Sequence, residues 1–290
     1  MATLTDAQAR ASATLTDRFK STENREAAKY AALVSLYFQS RVNVEDPASI
    51  EAWLDLMVPR LIRASDTGAD RATAFFTALR RIEAPGAAPY VPTAARGYID
   101  DGVRKSLLTV GPYAYTNKAR KIQTLETGPQ QQRALLAEAK QETTKAIAAA
   151  VLRHAQGGSR QTIHDASEED QVALGWVRVT KADPCFFCAA LASRGLRYRA
   201  FKEGSFDLSD ARFTGDGDAK VHDNCGCSLK PVYTTNDPLV DRTSTFADQW
   251  SMWGAGGGDA MRRFRRGYEH LRKTGEYLTW EQANEGLRAA

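Results

Sequence analysis

Apolar residues recur every three or four positions through the first half of the chain, and this spacing predicts a series of amphipathic helices. Thr5 and Gln8 form a capping box ahead of a first helix that ends near Lys20. A second helix is predicted to open near Thr22. Its apolar stripe consists of Tyr30, Leu33, Val34 and Tyr37. We expect these stripes to face a common core.

Proline and acidic residues predict where the next helices begin and end. Asp46 and Pro47 suit the N-cap and the first position of a third helix, which Pro59 is expected to kink or end. The apolar stripe of that helix is Ile50, Trp53, Leu54, Met57 and Leu61. A fourth helix is predicted from about Thr67 to Ile82.

A proline-rich connector, APGAAPYVP at residues 84–92, cannot be helical. Helix is predicted to resume at Thr93 and to stop at Gly111-Pro112. Pro129 is expected to start the longest helix of the chain, and Gly157-Gly158 to end it.

The pattern changes after Gly158 from helical spacing to short alternating segments. Residues 176–180 alternate and are β-branched, which is typical of a strand. Residues 196–201 and 221–233 are two further extended pieces, and a short helix from Cys185 to Ser193 is closed by Gly195.

These patterns predict an α+β fold that is predominantly α. We expect a helical N-terminal region at residues 1–160, a small zinc-stapled α+β unit at 161–235, and a tail at 236–290. The tail holds a turn-rich linker, a tryptophan-bearing segment, a glycine run at 254–258 and a basic helix from Asp259 to Lys273. The arginines of that helix are Arg262, Arg263, Arg265, Arg266 and Arg272.

Composition narrows the class of protein. The chain has 290 residues, of which 43% are hydrophobic and 26% charged, so it is not a mostly disordered protein. A mean hydropathy of -0.44 and the lack of a long apolar run predict that it does not cross a membrane, and the N-terminus lacks the apolar segment of a secretory signal. The net charge of +4 permits contact with nucleic acid without arguing for it.

All four cysteines lie in the small unit, as the pairs Cys185/Cys188 and Cys225/Cys227, with His222 three residues before the second pair. A C-x-x-C pair can direct both sulfurs at one ion, and residues two apart in an extended chain point to the same side. A tetrahedral zinc site needs four nitrogen or sulfur ligands. The sequence therefore predicts a structural zinc ion. It offers five candidate residues for four ligand positions, so one candidate would not bind the metal.

Other interpretations of these cysteines stay open. Two disulfides are disfavoured by the absence of a secretory signal, and buried thiols are a further alternative. A nucleobase deaminase would need a glutamate two residues after an upstream histidine, but Gln156 follows His154 and Ala166 follows His164. A zinc-stapled, metal-dependent nuclease using His222, with His270 and the basic helix in support, is the alternative function.

The order of these motifs resembles a known family. The residues that carry the resemblance are Gly175–Val179, Cys185–Gly195 with its cysteine pair, Tyr198, Val221–Cys227 with its histidine and two cysteines, and Pro231-Val232. They are similar to the phage Mu F-like head morphogenesis family, and more closely to minor capsid proteins of tailed actinobacterial phages and prophages. The resemblance covers about Thr162 to Tyr233, a quarter of the chain.

The resemblance implies a non-enzymatic virion component, located inside the head near the portal vertex and in the host cytoplasm during assembly. It implies a role in head assembly, DNA packaging or DNA delivery. The expected partners are the portal protein, coat or scaffold protein, and packaged DNA through Arg262, Arg263, Arg265 and Arg266. The metal-site positions that it implies are Cys185, Cys188, His222, Cys225 and Cys227.

Overall fold

A computed structural model describes residues 3–97, 100–198, 226–254 and 259–285. Two long helices begin the chain, α1 (Asp6–Arg41) and α2 (Pro47–Glu83). The capping box at Thr5 and the Asp46 cap are confirmed, since each side chain accepts a hydrogen bond from the first turn of its helix. The prediction of four helices in this stretch is wrong, because α1 runs unbroken past Thr22 and α2 runs through Pro59.

Tertiary packing explains why Pro59 does not end α2. A proline inside a helix costs about 3 kcal/mol. Leu54 and Met57 before it and Leu61 after it are all buried in the same core cluster. Because burial of each such side chain contributes roughly 1.5–3 kcal/mol, the contacts on both sides outweigh the local cost.

The segment predicted as a helix from Thr93 to Gly111-Pro112 differs at both ends. Residues 91–95 have no regular structure, and α3 (Asp100–Leu108) starts later. At its other end α3 continues through a π-helical turn, Thr109–Tyr113, into α4 (Ala114–Gln123). The wider π turn accommodates a proline without a break, and Gly111 lies directly against Ile147 of the helix that starts at Pro129.

Helix α5 (Pro129–Ala155) begins at Pro129 as predicted. With 27 residues it is shorter than α1 and α2, which have 36 and 37, so the prediction that it is the longest is wrong. Helix α5 ends at Ala155, directly before the Gly157-Gly158 pair, as predicted. That pair then begins another helix, α6 (Gly157–Glu169), which the sequence pattern did not reveal.

Helices α1, α2 and α5 pack around the main core, where the rings of Phe38 and Trp53 lie in tilted contact with their centres 5.1 Å apart. A second cluster joins α1 and α2 to the sheet, since Phe19 and Phe75 pack with Trp176 and Leu229. The helical region and the sheet therefore share buried apolar surface.

The sheet has three antiparallel strands in the order β2–β1–β3, namely β1 (Gly175–Val179), β2 (Arg197–Tyr198) and β3 (Ser228–Val232). The predicted strands are confirmed where they are described, while residues 199–225 lie outside the described residues. Every residue of β1 and β3 is buried. Helix α6 packs against both strands, and β1 also contacts α8 and α7.

Four helices of the described C-terminal part pack together: α7 (Phe186–Ala192), α8 (Pro238–Trp253), α9 (Ala260–Thr274) and α10 (Trp280–Asn284). The short helix after Cys185 and the basic helix are confirmed. The predicted turn-rich linker is wrong in part, because Asp237 caps α8 and the helix follows at once. Residues 255–258 of the glycine run lie outside the described residues.

The fold class is confirmed in its coarse form, a predominantly helical protein with a small sheet. The zinc staple predicted for the α+β unit is not part of what the described residues show. Of the helices in the described ranges, none combines the length and apolar character needed to cross a bilayer.

Candidate functional site

The first cysteine pair sits at the start of α7. Cys185 is the N-cap of this helix, and its sulfur accepts a hydrogen bond from the Cys188 backbone N–H at 3.4 Å. A backbone donor of this kind stabilises negative charge on the sulfur. The C-x-x-C segment therefore forms a compact turn whose two side chains belong to one cluster.

The third cysteine of the cluster, Cys227, directly precedes β3. Its sulfur lies 4.0 Å from that of Cys188, and both residues are buried. This distance is far longer than the roughly 2.05 Å of a disulfide bond. Two thiolates on one tetrahedral zinc ion, each about 2.3 Å from the metal, would stand about 3.8 Å apart. The separation thus fits shared coordination and does not fit a disulfide between these two residues.

Three of the five predicted ligands, Cys185, Cys188 and Cys227, pack in one cluster, although this packing alone does not place them as a metal-binding group. His222 and Cys225 lie outside the described residues. Within the ranges that are described, no group of three or more His, Cys, Asp or Glu side chains is placed to hold a metal ion. The full ligand set remains a prediction.

Basic residues surround Cys227, and the sequence reasoning did not identify them as part of the site. Arg178 Nη1 donates to the Cys227 sulfur at 3.1 Å, and Arg160 Nε donates to the Cys227 carbonyl at 3.0 Å. Lys20 of α1 donates to the Thr180 carbonyl close by. Partial burial, and then the charge of Arg242, lowers the pKa of Lys20. The sequence did contain a signal for this part of the site, because Arg178 is a charged residue in the middle of the apolar strand WVRVT.

Helix α9 is anchored beside the cysteine turn by its apolar side. The Tyr268 hydroxyl donates to the Pro184 carbonyl at 3.0 Å, next to Cys185, and burial raises the pKa of Tyr268 to about 12. Gly267 lies so close to Trp253 that an added Cβ would overlap the indole ring. Trp253 is completely buried, so its indole ring belongs to the local core and not to a surface on which bases could stack.

The opposite side of α9 carries a cluster of charged side chains that line an open groove of about 370 Å³. We call this surface the basic face; it consists of Arg262, Arg265, Arg266, Glu269, His270 and Lys273. Arg262 and Arg265 keep 65% and 58% of their side-chain surface exposed, although they pair with Asp259 and Glu269. Phosphate groups of a nucleic acid could reach both guanidinium groups.

Arg263 does not belong to the basic face, which corrects the set of arginines predicted to contact DNA. Its side chain is buried, Nε donates to the Trp253 carbonyl at 3.2 Å, and the guanidinium lies 5.1 Å from the Trp280 ring centre. These contacts hold α9 against α8 and α10. The reason is the helical period, because Arg263 falls on the side of α9 that also carries Phe264 and Gly267.

Comparison with known protein families gives a match over most of the chain. The model of the VG15 protein family, a phage-associated viral gene family, matches residues 10–243, which spans the helical region and the sheet. No curated protein and no solved structure matches the chain. The match is longer than the quarter of the chain that carries the Mu F-like resemblance, and it bears that resemblance out at the coarser level of a phage protein. Because the family model covers well over half of the sequence, the chain belongs to the VG15 family of phage-associated proteins.

Proposed function

We propose that this protein is a phage minor capsid protein of the Mu F-like head morphogenesis type. It acts as a structural component, not as an enzyme, and sits on the portal inside the head, where it assists head assembly, DNA packaging or DNA delivery. The observation that carries the proposal is the phage-family match over residues 10–243. The order of cysteine, histidine and glycine motifs between Thr162 and Tyr233 supports the finer assignment.

Co-purification with the portal tests this assignment. We expect a tagged copy, expressed with the portal and coat proteins of the same phage, to elute with the portal ring and to appear in a few copies per assembled head. A protein that stays monomeric in the presence of portal rings and is missing from purified heads would contradict the proposal. Incubation with DNA and Mg²⁺ or Mn²⁺ distinguishes the nuclease alternative, which requires cleavage that His222→Ala removes.

A structural zinc ion is the second part of the proposal. Cys185, Cys188 and Cys227 would supply three of its ligands, and His222 or Cys225 the fourth. The 4.0 Å between the Cys188 and Cys227 sulfurs supports this assignment. The ion would tie the turn before α7 to the start of β3. Such a tie adds folding free energy to a unit with a small core.

We expect one zinc ion per purified chain by elemental analysis. Cys188→Ser should lose the metal and lower the melting temperature, because a neutral hydroxyl is a poor zinc ligand. Ser193→Ala, at the other end of α7, is the control and should keep one equivalent of zinc. Wild-type protein that contains no transition metal after purification without chelators would remove this part of the proposal.

Packaged DNA is the proposed partner of the basic face. Its exposed arginines, Arg262, Arg265 and Arg266, would contact phosphates without reading sequence. We expect the triple alanine variant to bind duplex DNA at least about tenfold more weakly at low salt. The dependence of log K on log [salt] should flatten by up to about 0.9 for each phosphate that the variant no longer neutralises.

A second triple variant provides the matched control. Arg18, Arg25 and Arg41 are exposed on α1, and their replacement by alanine removes the same charge from a different surface. Fluorescence anisotropy with a labelled duplex at several salt concentrations measures both variants. Equal losses of affinity in the two would mean that only net charge matters, and the basic face would then have no special part in DNA binding.

A further inference from the structure

Three ionisable side chains meet in the interior where the sheet, α2 and α8 come together. They are Lys230 on β3, Glu83 at the end of α2 and Asp237 at the N-cap of α8. All three side chains are between 0% and 2% exposed. Lys230 Nζ donates to Glu83 Oε1 at 2.6 Å and also to Asp237 Oδ2. An amine is thus held against two carboxyl groups in a place that excludes bulk water.

The two carboxyl groups have different surroundings. Asp237 Oδ1 accepts a hydrogen bond from the Leu239 backbone N–H at 2.8 Å, in the first turn of α8. This donor, together with the helix dipole, would stabilise the negative charge that develops on a carboxyl oxygen when a nucleophile adds to the carboxyl carbon. Asp237 is therefore the carboxyl group whose surroundings favour attack by the amine.

Glu83 is suited to move protons. Its Oε1 accepts hydrogen bonds from Lys230 and from the Ser12 hydroxyl, whereas its buried Oε2 has no hydrogen-bond partner among the described residues. Burial raises the pKa of Glu83, and the charge of Lys230 opposes this rise. A buried carboxyl group that is readily protonated can accept a proton on one oxygen and deliver a proton from the other.

We propose that Lys230 and Asp237 form an intramolecular amide bond, with Glu83 as the proton shuttle. The Lys230 ammonium first transfers a proton to the Asp237 carboxylate, which leaves a neutral amine and a neutral acid. Nζ then adds to Asp237 Cγ, and a Cγ–O bond breaks. Glu83 accepts one proton from the nitrogen and returns one to the departing oxygen. Water leaves, and Glu83 ends as it began.

The reaction joins two residues that are seven positions apart and would fix the start of α8 covalently to β3. It needs no oxidant, reductant or further reactant. Contact between the reacting groups and the exclusion of water both favour it. The ionic contacts of the three side chains are those of the chain before the amide forms. Each chain reacts once, on its own side chains, so the inference does not depend on the proposed portal, DNA or zinc contacts.

Intact-mass spectrometry of the denatured chain measures the reaction. After incubation of the folded wild type at neutral pH, we expect a mass below that of the sequence by one water molecule. Lys230→Arg keeps a positive charge, but its guanidinium stays protonated and cannot act as the nucleophile, so this variant should retain the full mass. Lys118→Arg, in the exposed pair with Glu142, is the matched control and should lose water as the wild type does.

Glu83→Gln tests the proton shuttle. Glutamine keeps the approximate shape and the hydrogen-bonding capacity of the side chain, but it cannot accept and return a proton. We expect the amide to form about 100-fold more slowly in this variant, measured by the rate of water loss in protein that circular dichroism shows to be folded. A folded Glu83→Gln variant that reacts at the wild-type rate would overturn the role of Glu83.

Mild acid hydrolysis locates the new bond. An Asp–Pro peptide bond breaks in hot dilute acid because the free aspartate carboxyl group takes part in its cleavage, and the sequence has three such bonds, after Asp46, Asp183 and Asp237. We expect cleavage after Asp46 and Asp183 in the wild type and in Lys230→Arg. Cleavage after Asp237 should be efficient only in Lys230→Arg, where that carboxyl group stays free.

The same digestion excludes a trivial source of the mass change. Dehydration of another aspartate to a succinimide also removes one water molecule, but it would leave the bond after Asp237 labile and would persist in Lys230→Arg. Asp237 itself cannot form a succinimide with the next residue, because Pro238 has no backbone N–H.

The decisive measurements are made on the wild type, so they stand even if Lys230→Arg fails to fold. A wild-type chain that keeps the full sequence mass after prolonged incubation in the folded state would overturn the inference. A wild-type chain that loses water but is cleaved after Asp237 as readily as after Asp46 and Asp183 would overturn it as well.

Discussion

Lys230→Met should lower the free energy of unfolding by about 3–5 kcal/mol, because it leaves two buried carboxylates without their common cation. Lys230 is 1% exposed, and its Nζ donates to Glu83 Oε1 at 2.6 Å and to the carboxylate of Asp237. The Ser12 hydroxyl donates to the same glutamate. Urea unfolding followed by circular dichroism at pH 7 measures the loss.

The size of this effect follows from where the three charges lie. Glu83 is the last residue of α2, Lys230 is on β3, and Asp237 caps α8. A single buried ammonium group thus joins the helical region, the sheet and the C-terminal helices. Surface ion pairs such as Lys118–Glu142, which is about half exposed at both ends, contribute far less. Lys118→Met is accordingly the control, and its effect should stay below about 1 kcal/mol.

The effect of Lys230→Met should also depend on pH in a defined direction. Burial raises the pKa of Glu83 above the ordinary value of 4.5, Lys230 opposes this rise, and Asp237 adds to it. A carboxyl group whose pKa is higher in the folded protein than in the unfolded chain favours the folded state most when it is protonated. Its contribution to stability therefore falls as the pH rises above the pKa that the group has in the unfolded chain. Without Lys230 the pKa of Glu83 rises further.

Stability of the Lys230→Met variant should therefore recover as the pH is lowered from about 8 toward about 5. The double variant Lys230→Met/Glu83→Gln should lose less stability at the higher pH than the single variant, since one of the two unpaired charges is gone. A single variant that matches wild type in urea, or whose deficit is the same at both pH values, would show that these groups are not coupled.

Gly158→Ala should cost about 3 kcal/mol, at the upper end of the range for overpacking. An added Cβ would lie 2.5 Å from the Ser65 carbonyl oxygen and 2.9 Å from its Oγ. Backbone atoms cannot rotate away, so α6 would have to move off α2. The movement would also strain the hydrogen bond from the Gly158 N–H to the Ser65 hydroxyl, now 2.8 Å long. Thermal and urea unfolding measure the loss.

Gly102→Ala is the matched control for this glycine. Gly102 lies in α3 with nothing within 4 Å of its added Cβ, so alanine there should be neutral or should stabilise by about 0.5–1 kcal/mol. A Gly158→Ala variant that gains stability as Gly102→Ala does would mean that α2 and α6 can separate freely.

The cysteine site shows how far sequence reasoning reaches. Spacing alone grouped the cysteines, and the structure brings Cys185, Cys188 and Cys227 together. Sequence could not place Arg178 beside Cys227, because the two are 49 residues apart and meet only through strand pairing. The sequence reasoning also assigned Arg263 to DNA binding. The sequence shows that this residue is charged, but it does not show that Trp253 and Trp280 contact its side chain in the folded protein.

By itself the sequence determined most of the local features: the apolar stripes apart from Leu33, which is exposed, the caps at Thr5 and Asp46, the start of α5 at Pro129, and the α+β character of the region after Gly158. Each of these depends on neighbours within about one helical turn or one strand pair, and such neighbours can be read from spacing. Only the tertiary structure decided that α2 continues through Pro59 and that Gly158 begins a helix. At Pro59 a local preference for breaking the helix, worth about 3 kcal/mol, is outweighed by packing between residues far apart in the chain. At the start of α6 the low helix propensity of glycine, about 1 kcal/mol per residue, is outweighed by the packing of α6 on α2.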